Sequence, residues 1–333
     1  MSNHQKTGLK LLDARQYIAD LTRKVSKAKK QAILMSLVLS DDELTHDLIE
    51  ELIKAAKRGV KVDIAADVFT YGEFGGYFSP LKRRHPKSRA ATEMAKKLEQ
   101  AGAKFTWLGR KYKLNPFKGV THSKWATVDD TSYIFGGVNV YKEGIESTDY
   151  MFRLSDPLLA KRIAKQHRAI VRSNGLQEAY AGYITKTSHG TIYIDSGKPK
   201  DSPIYDRICE LAYDAQSVLV VTQYCPTGAF AKHLKTTDSK IYYNQPQNTT
   251  FYTRLLISAS QIQTGLRSLY PRKNYIHAKF ILFTMSDGKQ ITITGSHNFT
   301  YGGVRFGTRE VALETTDPSV AKQLRAFHKK HIA

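Results

Sequence analysis

The 333-residue chain is poor in three things, and each shortage narrows what it can be. Cysteine occurs only as Cys209 and Cys225, with no CxxC or metal-ligand spacing. A disulfide framework is therefore not expected, and a reducing, cytoplasmic compartment is. Long apolar runs are also missing. The longest largely apolar stretch, Ala32–Leu39, is too short to span a bilayer, and Met1–Gln16 lacks the apolar segment of a secretory leader. Any membrane contact would be peripheral, at the inner face. Acidic residues are the third shortage: 30 Asp+Glu stand against 51 Lys+Arg, a formal net charge of +21. That excess goes beyond what solubility asks for and selects an anionic partner, either nucleic acid or an acidic membrane surface. No cluster of His, Asp and Glu has convincing metal-ligand spacing, so neither metal nor cofactor is expected. His328 and His331 read as solvent-facing residues of a C-terminal helix.

What the chain does have is enough apolar residue, 41%, for an ordinary soluble core, and a length that suits two domains or one large α/β unit. Its organisation looks duplicated. A helical pattern over Ala14–Lys29 leads into the apolar run from Ala32, and a second over Ile204–Tyr213 leads into Ser217–Val221. Both runs read as buried strands of a mostly parallel sheet. Leu48, Ile49, Leu52, Ile53 and Ala56 recur at helical spacing before Gly59, and Val60, Val62 and Ile64 then alternate as in a strand. A further stripe, Met94, Leu98 and Ala101, stops at Gly102. Two strand–turn–strand units follow at matching places. One runs His122–Val128 and Tyr133–Phe135 around a polar turn; the other runs His277–Thr284 and Gln290–Thr294 around Ser286-Asp287-Gly288. Each precedes a helical segment, Leu158–Arg172 or Ser319–His331. The fold class expected is α/β with two halves, residues 1–175 and 176–333, divided by the polar stretch Ser173–Gly190.

The chemistry sits on those hairpins. The first carries His122-Ser-Lys124 and, after Asp129, Gly136-Gly137-Val-Asn139; the second carries His277-Ala-Lys279 and Gly295-Ser296-His-Asn298. His and Lys two apart on a strand share a face, so an imidazole and an ammonium can meet one phosphate together. The glycine turn admits close backbone approach, and the Asn side chain adds a donor. A lone His-x-Lys is common surface decoration. Two copies, each followed by Gly-[Gly/Ser]-x-Asn at the end of the same hairpin, are hard to obtain by chance.

The pair resembles the phospholipase D superfamily signature, His-x-Lys-x4-Asp-x6-Gly-[Gly/Ser]-x-Asn, present twice. The first half matches it at every position. The second has Thr284 in place of the Asp and a longer hairpin, with Asp287 in the turn. Ala55–Phe69 and the acidic segments Ser147–Pro157 and Thr308–Leu324 look like the cardiolipin synthase, or phosphatidyltransferase, branch. This resemblance implies two mixed, mostly parallel sheets flanked by helices, with one active site at the interface of the halves. It implies that Asp149 orients His122 and Glu310 orients His277, with Glu143, Glu146 and Glu314 as nearby competitors. It also implies that the signature Asp supports the hairpin rather than touching substrate. The mechanism implied is attack by one His to form a phosphohistidine, with the other His as general acid and then base. By resemblance His122 is the nucleophile and His277 the acid; chemistry alone leaves that open. Lys124, Lys279, Asn139 and Asn298, with Gly137 and Ser296, would hold the phosphate oxygens without a metal.

For substrate the leading expectation is an anionic phospholipid, handled by a cardiolipin synthase-like phosphatidyltransferase or a phospholipase D. The stretch Tyr71–Arg89 puts four aromatics ahead of five cationic residues, as a loop that dips rings into a membrane interface would. The alternative is a metal-independent nuclease acting on DNA or RNA, which the charge of +21 also suits. A third class, a degenerate homologue that only binds anions, is disfavoured by intact His, Lys and Asn in both halves. A single chain supplies both half-sites, so a monomer suffices for the active site.

Overall fold

The structure, a computed structural model, describes residues 8–109, 119–176 and 180–333. The first half runs β1 (Lys10–Asp13), α1 (Ala14–Ser26), β2 (Gln31–Ser36), α2 (His46–Lys57), β3 (Lys61–Asp67), α3 (Phe69–Gly75), α4 (Pro86–Gln100) and β4 (Lys104–Leu108). It continues through the hairpin β5 (Trp125–Val128) and β6 (Thr131–Ile134), then α5 (Lys142–Glu146), β7 (Tyr150–Ser155) and α6 (Pro157–Leu176). The second half runs β8 (Tyr183–Thr187), β9 (Gly190–Ile194), α7 (Pro203–Asp214), β10 (Ala215–Val221), α8 (Gly228–Thr236), β11 (Asp238–Tyr242) and α9 (Phe251–Thr264). It closes with the hairpin β12 (Phe280–Met285) and β13 (Gln290–Gly295), then α10 (Tyr301–Phe306), β14 (Val311–Thr315) and α11 (Pro318–His331).

Each half forms one seven-stranded sheet, in the orders β1-β7-β6-β5-β2-β3-β4 and β11-β10-β12-β13-β14-β9-β8. The duplication is visible in the order itself: β1, β2, β3 and β5–β7 correspond to β9, β10, β11 and β12–β14. The first half adds β4 at one edge, and the second adds β8 at the other.

Both sheets are mixed, but the expectation that they are mostly parallel is wrong. Only β2–β3, β3–β4 and β10–β11 pair in parallel; all the other neighbours are antiparallel. The apolar runs are buried on both faces for a different reason. Helices α1, α2 and α4 cover the outer face of the first sheet, and α7 and α8 that of the second. On the inner side, Met35, Trp125 and Phe152 share one core with Val221, Phe280 and Leu313, together with residues of α6 and α11. A strand sandwiched this way needs no alternating pattern, whatever the direction of its neighbours.

The expected polar divider, residues 173–190, is mostly ordered element. It holds the end of α6 and all of β8; residues 177–179 lie outside the described residues. The expected loop over Tyr71–Arg89 is likewise largely folded. It contains the end of α3, a single 3-10 turn (Lys82–Arg84) and the start of α4. Tyr71 is buried and packs on Trp107, whereas Phe78 and Leu81 point outward.

Candidate active site

Each candidate histidine lies in a short extended segment just ahead of a hairpin, and each segment is bound to the opposite half. Thr121 bridges Arg309 in parallel, His122 N donates to Arg309 O at 2.8 Å, and Arg309 N donates to Val120 O at 2.8 Å. In the mirror arrangement Thr148 bridges Ile276, Thr148 N donates to Tyr275 O at 2.8 Å, and His277 N donates to Thr148 O at 3.0 Å. The residues following Arg309 and Thr148 are Glu310 and Asp149, so each carboxylate is delivered to the histidine of the other half. His122 Nδ1 lies 2.8 Å from Glu310 Oε2, and His277 Nδ1 lies 2.6 Å from Asp149 Oδ2. This corrects the expected pairing of Asp149 with His122 and Glu310 with His277. Neighbourhood along the chain suggested one partner, and the backbone bridge between halves decides the other. Two of the three competitors are engaged elsewhere: Glu143 pairs with Lys87, and Glu314 with Arg207.

The two imidazoles face each other with ring centroids 6.4 Å apart and planes 60° apart, both buried. A carboxylate accepting at Nδ1 keeps the proton there and leaves the Nε2 lone pair for chemistry. Lys124 and Lys279 are fully buried beside them. Lys124 Nζ donates to His122 O at 2.7 Å, and Lys279 Nζ donates to His277 O. Two lysines and two imidazoles are thus buried together, which shifts all four. Burial and then the neighbouring Lys279 push Lys124 down to about 7. Burial lowers Lys279 to about 8. Burial, followed by Lys279, lowers His277 to about 3, and burial with both lysines holds His122 well below its usual value. The carboxylates diverge. Burial drives Glu310 upward. For Asp149 burial is outweighed by the His277 hydrogen bond and by Lys279, which hold it below the ordinary range.

The glycine turns do something other than expected. A Cβ on Gly136 would sit 1.8 Å from Tyr150 O, and one on Gly137 2.6 Å from Asp149 Oδ2 and 2.9 Å from His277 O. Gly137 therefore makes room for the carboxylate behind His277. Its counterpart Ser296 does the converse: its hydroxyl donates to Glu310 and accepts from Val311 N at 3.0 Å. Asn139 and Asn298 close the two turns. Val38 N donates to Asn139 Oδ1 at 3.4 Å, while Asn298 Oδ1 is buried without a hydrogen-bond partner among the described residues.

Sequence reasoning missed two groups. The first braces the histidine segments. Asp67, at the end of β3, accepts from Thr121 N at 2.8 Å, and Asn244, just after β11, accepts from Ile276 N at 2.7 Å. Each is buried and fixes the residue before a histidine, and burial raises Asp67 to about 6. Their equivalence could have been found by aligning β3 with β11. The second group is a tyrosine cluster around Glu73 and Gln223. Tyr77 and Tyr141 donate to Glu73, the latter at 3.3 Å, and Gln223 donates to Tyr224 at 3.1 Å and Tyr275 at 2.9 Å. Tyr141 and Tyr275 lie two residues from Asn139 and His277, a signal available in the sequence. His328 and His331 take no part in the site. They are half-buried against Tyr242 and Phe327 rather than solvent-facing, because α11 packs inward along both.

Comparison with known proteins bears on the family and the fold. The model of the family described as "Cardiolipin synthase, PLD-like domain" matches residues 21–171 and 184–332, one copy in each half. Cardiolipin synthase B of Salmonella typhi is 26% identical over 156 residues, which are 44% of this chain and 34% of that protein. The match thus spans about a third of the relative's length. Among solved structures, phosphatidylserine synthase of Haemophilus influenzae Rd KW20 superposes with a TM-score of 0.72 at 13% identity, covering 99% of this chain and 88% of its own. Polyphosphate kinase of Porphyromonas gingivalis gives 0.62 at 10% identity, covering 96% and 49%. At these identities the structural likeness establishes the fold.

Proposed function

Because the chain belongs to the cardiolipin synthase, phospholipase D-like family, we propose that it cleaves or transfers the phosphodiester of a phospholipid through a covalent phosphohistidine. The observation that carries this reading is the pair of facing imidazoles, each held at Nδ1 by a carboxylate from the other half, with a buried lysine beside each. An anionic phosphodiester between Lys124 and Lys279 offsets their charge and favours the protonated form of both lysines and both imidazoles.

The two carboxylates then separate the histidine roles. Asp149, held low, stays ionised and favours a proton on His277; Glu310, pushed up, gives His122 less cationic character. His122 Nε2 attacks phosphorus, and the P–O bond to the departing alcohol breaks. The His277 imidazolium gives its Nε2 proton to that oxygen. A second hydroxyl, from water or from an acceptor lipid, returns its proton to His277 and attacks phosphorus, expelling His122. The lysines and the two Asn side chains neutralise the equatorial oxygens in a pre-organised, buried site. Gly137 and Ser296 serve by placing Asp149 and Glu310. A phospholipid is favoured because the matching family and curated relative are named for cardiolipin synthase. The protein would work from the cytoplasm, peripherally on the inner membrane face; no helix among the described residues is long and apolar enough to cross a membrane.

Incubation with phosphatidylglycerol vesicles tests the reading by mass spectrometry of the lipids: cardiolipin marks transfer and phosphatidic acid marks hydrolysis. A second reading, a nuclease using the same two histidines, rests on the charge of +21. Cutting of an oligonucleotide in the presence of chelator, with no lipid product from any anionic phospholipid, would replace the first reading by the second.

A further inference from the structure

Helix α9 is built unlike any helix of the two sheets' outer layers. Of its 14 residues only Ile257 and Thr264 are buried. Phe251, Tyr252, Leu255, Leu256 and Ile262 are exposed, the last by 87%. At 100° per residue these five lie within about 140° of the helix circumference, opposite Ile257 and Thr264, which makes a continuous apolar stripe. A stripe of this kind with no protein against it costs free energy in water and marks a surface that meets another apolar phase.

The stripe does not stand alone. Tyr252 contacts Phe78, with ring centroids 6.5 Å apart, so α9 meets the projecting turn after α3 that also exposes Leu81. That turn leads directly into Lys82, Arg83 and Arg84. Both segments are free of acid: none occurs between Glu73 and Glu93, and none between Asp238 and Asp287. On the other side of α9, Thr253 meets Tyr224 and Tyr275, and Tyr275 lies two residues from His277. The apolar face and the cations therefore adjoin the segment that carries His277.

We propose that α9 and the turn around Phe78 form a docking face for an anionic lipid bilayer, which seats the active-site mouth on the membrane. This rests on the phospholipid reading of the site and adds the surface that delivers it. The chemistry selects among occupants. The three rings, Phe78, Phe251 and Tyr252, are outnumbered by four aliphatic side chains, Leu81, Leu255, Leu256 and Ile262, that stack on no base, which favours hydrocarbon over a single-stranded nucleic acid. Two copies meeting through this face would bring like-charged arginines together with no acid to compensate, which disfavours self-association. Hydrocarbon beneath a layer of anionic headgroups satisfies both the stripe and the cations.

The test is flotation of the full chain with vesicles of equimolar phosphatidylglycerol and phosphatidylcholine, against vesicles of phosphatidylcholine alone. The double variant Leu256→Asp, Ile262→Asp should lose binding to the anionic vesicles by about tenfold or more. Its turnover on a short-chain, monomeric phosphatidylglycerol should stay at the wild-type level, which also verifies that it is folded. The variant Arg83→Glu, Arg84→Glu should lose the preference for anionic over neutral vesicles. Flotation of the apolar double variant equal to wild type overturns the proposal. So does a change in sedimentation or in oligonucleotide affinity with flotation unchanged, which would assign the face to a second copy or to nucleic acid. If the wild type makes no product from the short-chain lipid but floats in an α9-dependent way, the enzymatic reading fails while the docking face stands.

Discussion

The first half-site clamps its hairpin with an aspartate and the second manages without one. Asp129, at the tip of β5–β6 with φ 48°, accepts from the backbone N–H groups of Lys29, Lys30 and Gln31 at 2.8–3.0 Å. It thereby ties the hairpin to the loop between α1 and β2. At the matching place the second half has Thr284, and α7 ends at Asp214 with β10 starting at Ala215, so there is no loop to tie. A missing signature residue is thus the consequence of a shorter connection elsewhere in the chain. The candidate His and Lys are the same in both halves, but their supports differ: a short carboxylate beside Gly137 behind His277, a longer one fixed by Ser296 behind His122. The proposed mechanism needs His and Lys at both places, whereas support can be built from whatever the local backbone offers.

The largest effect should come from breaking the comparison at the histidines. His122→Ala and His277→Ala should each lower turnover by roughly 10³-fold or more, measured as lipid product per enzyme. A phosphodiester with an activated leaving group sharpens the result, because it needs no general acid. The His277→Ala enzyme should then still release one equivalent of leaving group in a burst, and His122→Ala should release none. Equal behaviour of the two variants would abolish the division of roles. Removing Lys124 or Lys279 should cost about 10²–10³-fold, as loss of a charge-stabilising group does in a buried site. In the wild type, burial lowers those lysines so that they carry charge below about 7 and 8 and lose it above. Hence KM should rise as pH climbs beyond that window, and a flat KM to strongly alkaline pH would contradict the pocket's electrostatics.

Smaller effects probe the supports. Asp67→Ala and Asn244→Ala each release the residue before a histidine, and about tenfold losses in kcat are expected, with a smaller change in KM. The smallest effect on activity belongs to Asp129→Ala. It should destabilise the fold by about 2 kcal/mol, the scale for orphaning charge-assisted backbone donors, yet leave turnover of the folded enzyme unchanged. Chemical unfolding reads the first quantity and the lipid assay the second. Burial alone would raise the Asp129 pKa, but the three backbone donors hold it below the ordinary carboxylate value. The stability it contributes is therefore present above that value and is lost as the pH falls through the lowered one. Thr284→Asp should gain nothing, since no loop lies within reach of it.

The sequence by itself determined many of the elements and the candidate site residues. Helical stripes such as Leu48–Ala56 and strands such as Val62–Ile64 carry their periodicity locally, and the duplicated His-x-Lys and Gly-[Gly/Ser]-x-Asn patterns single out their residues by type and spacing, while the chemistry proposed for them comes from the family they resemble. Which neighbours those elements choose was beyond its reach. The mostly antiparallel pairing, the exchange of Asp149 and Glu310 between the histidines, and the brace from Asp67 and Asn244 all depend on backbone hydrogen bonds between residues far apart in the chain. A side chain's type is written at its own position, but a hydrogen-bond partner is set by where two distant backbones come to lie, and only the packed halves decide that.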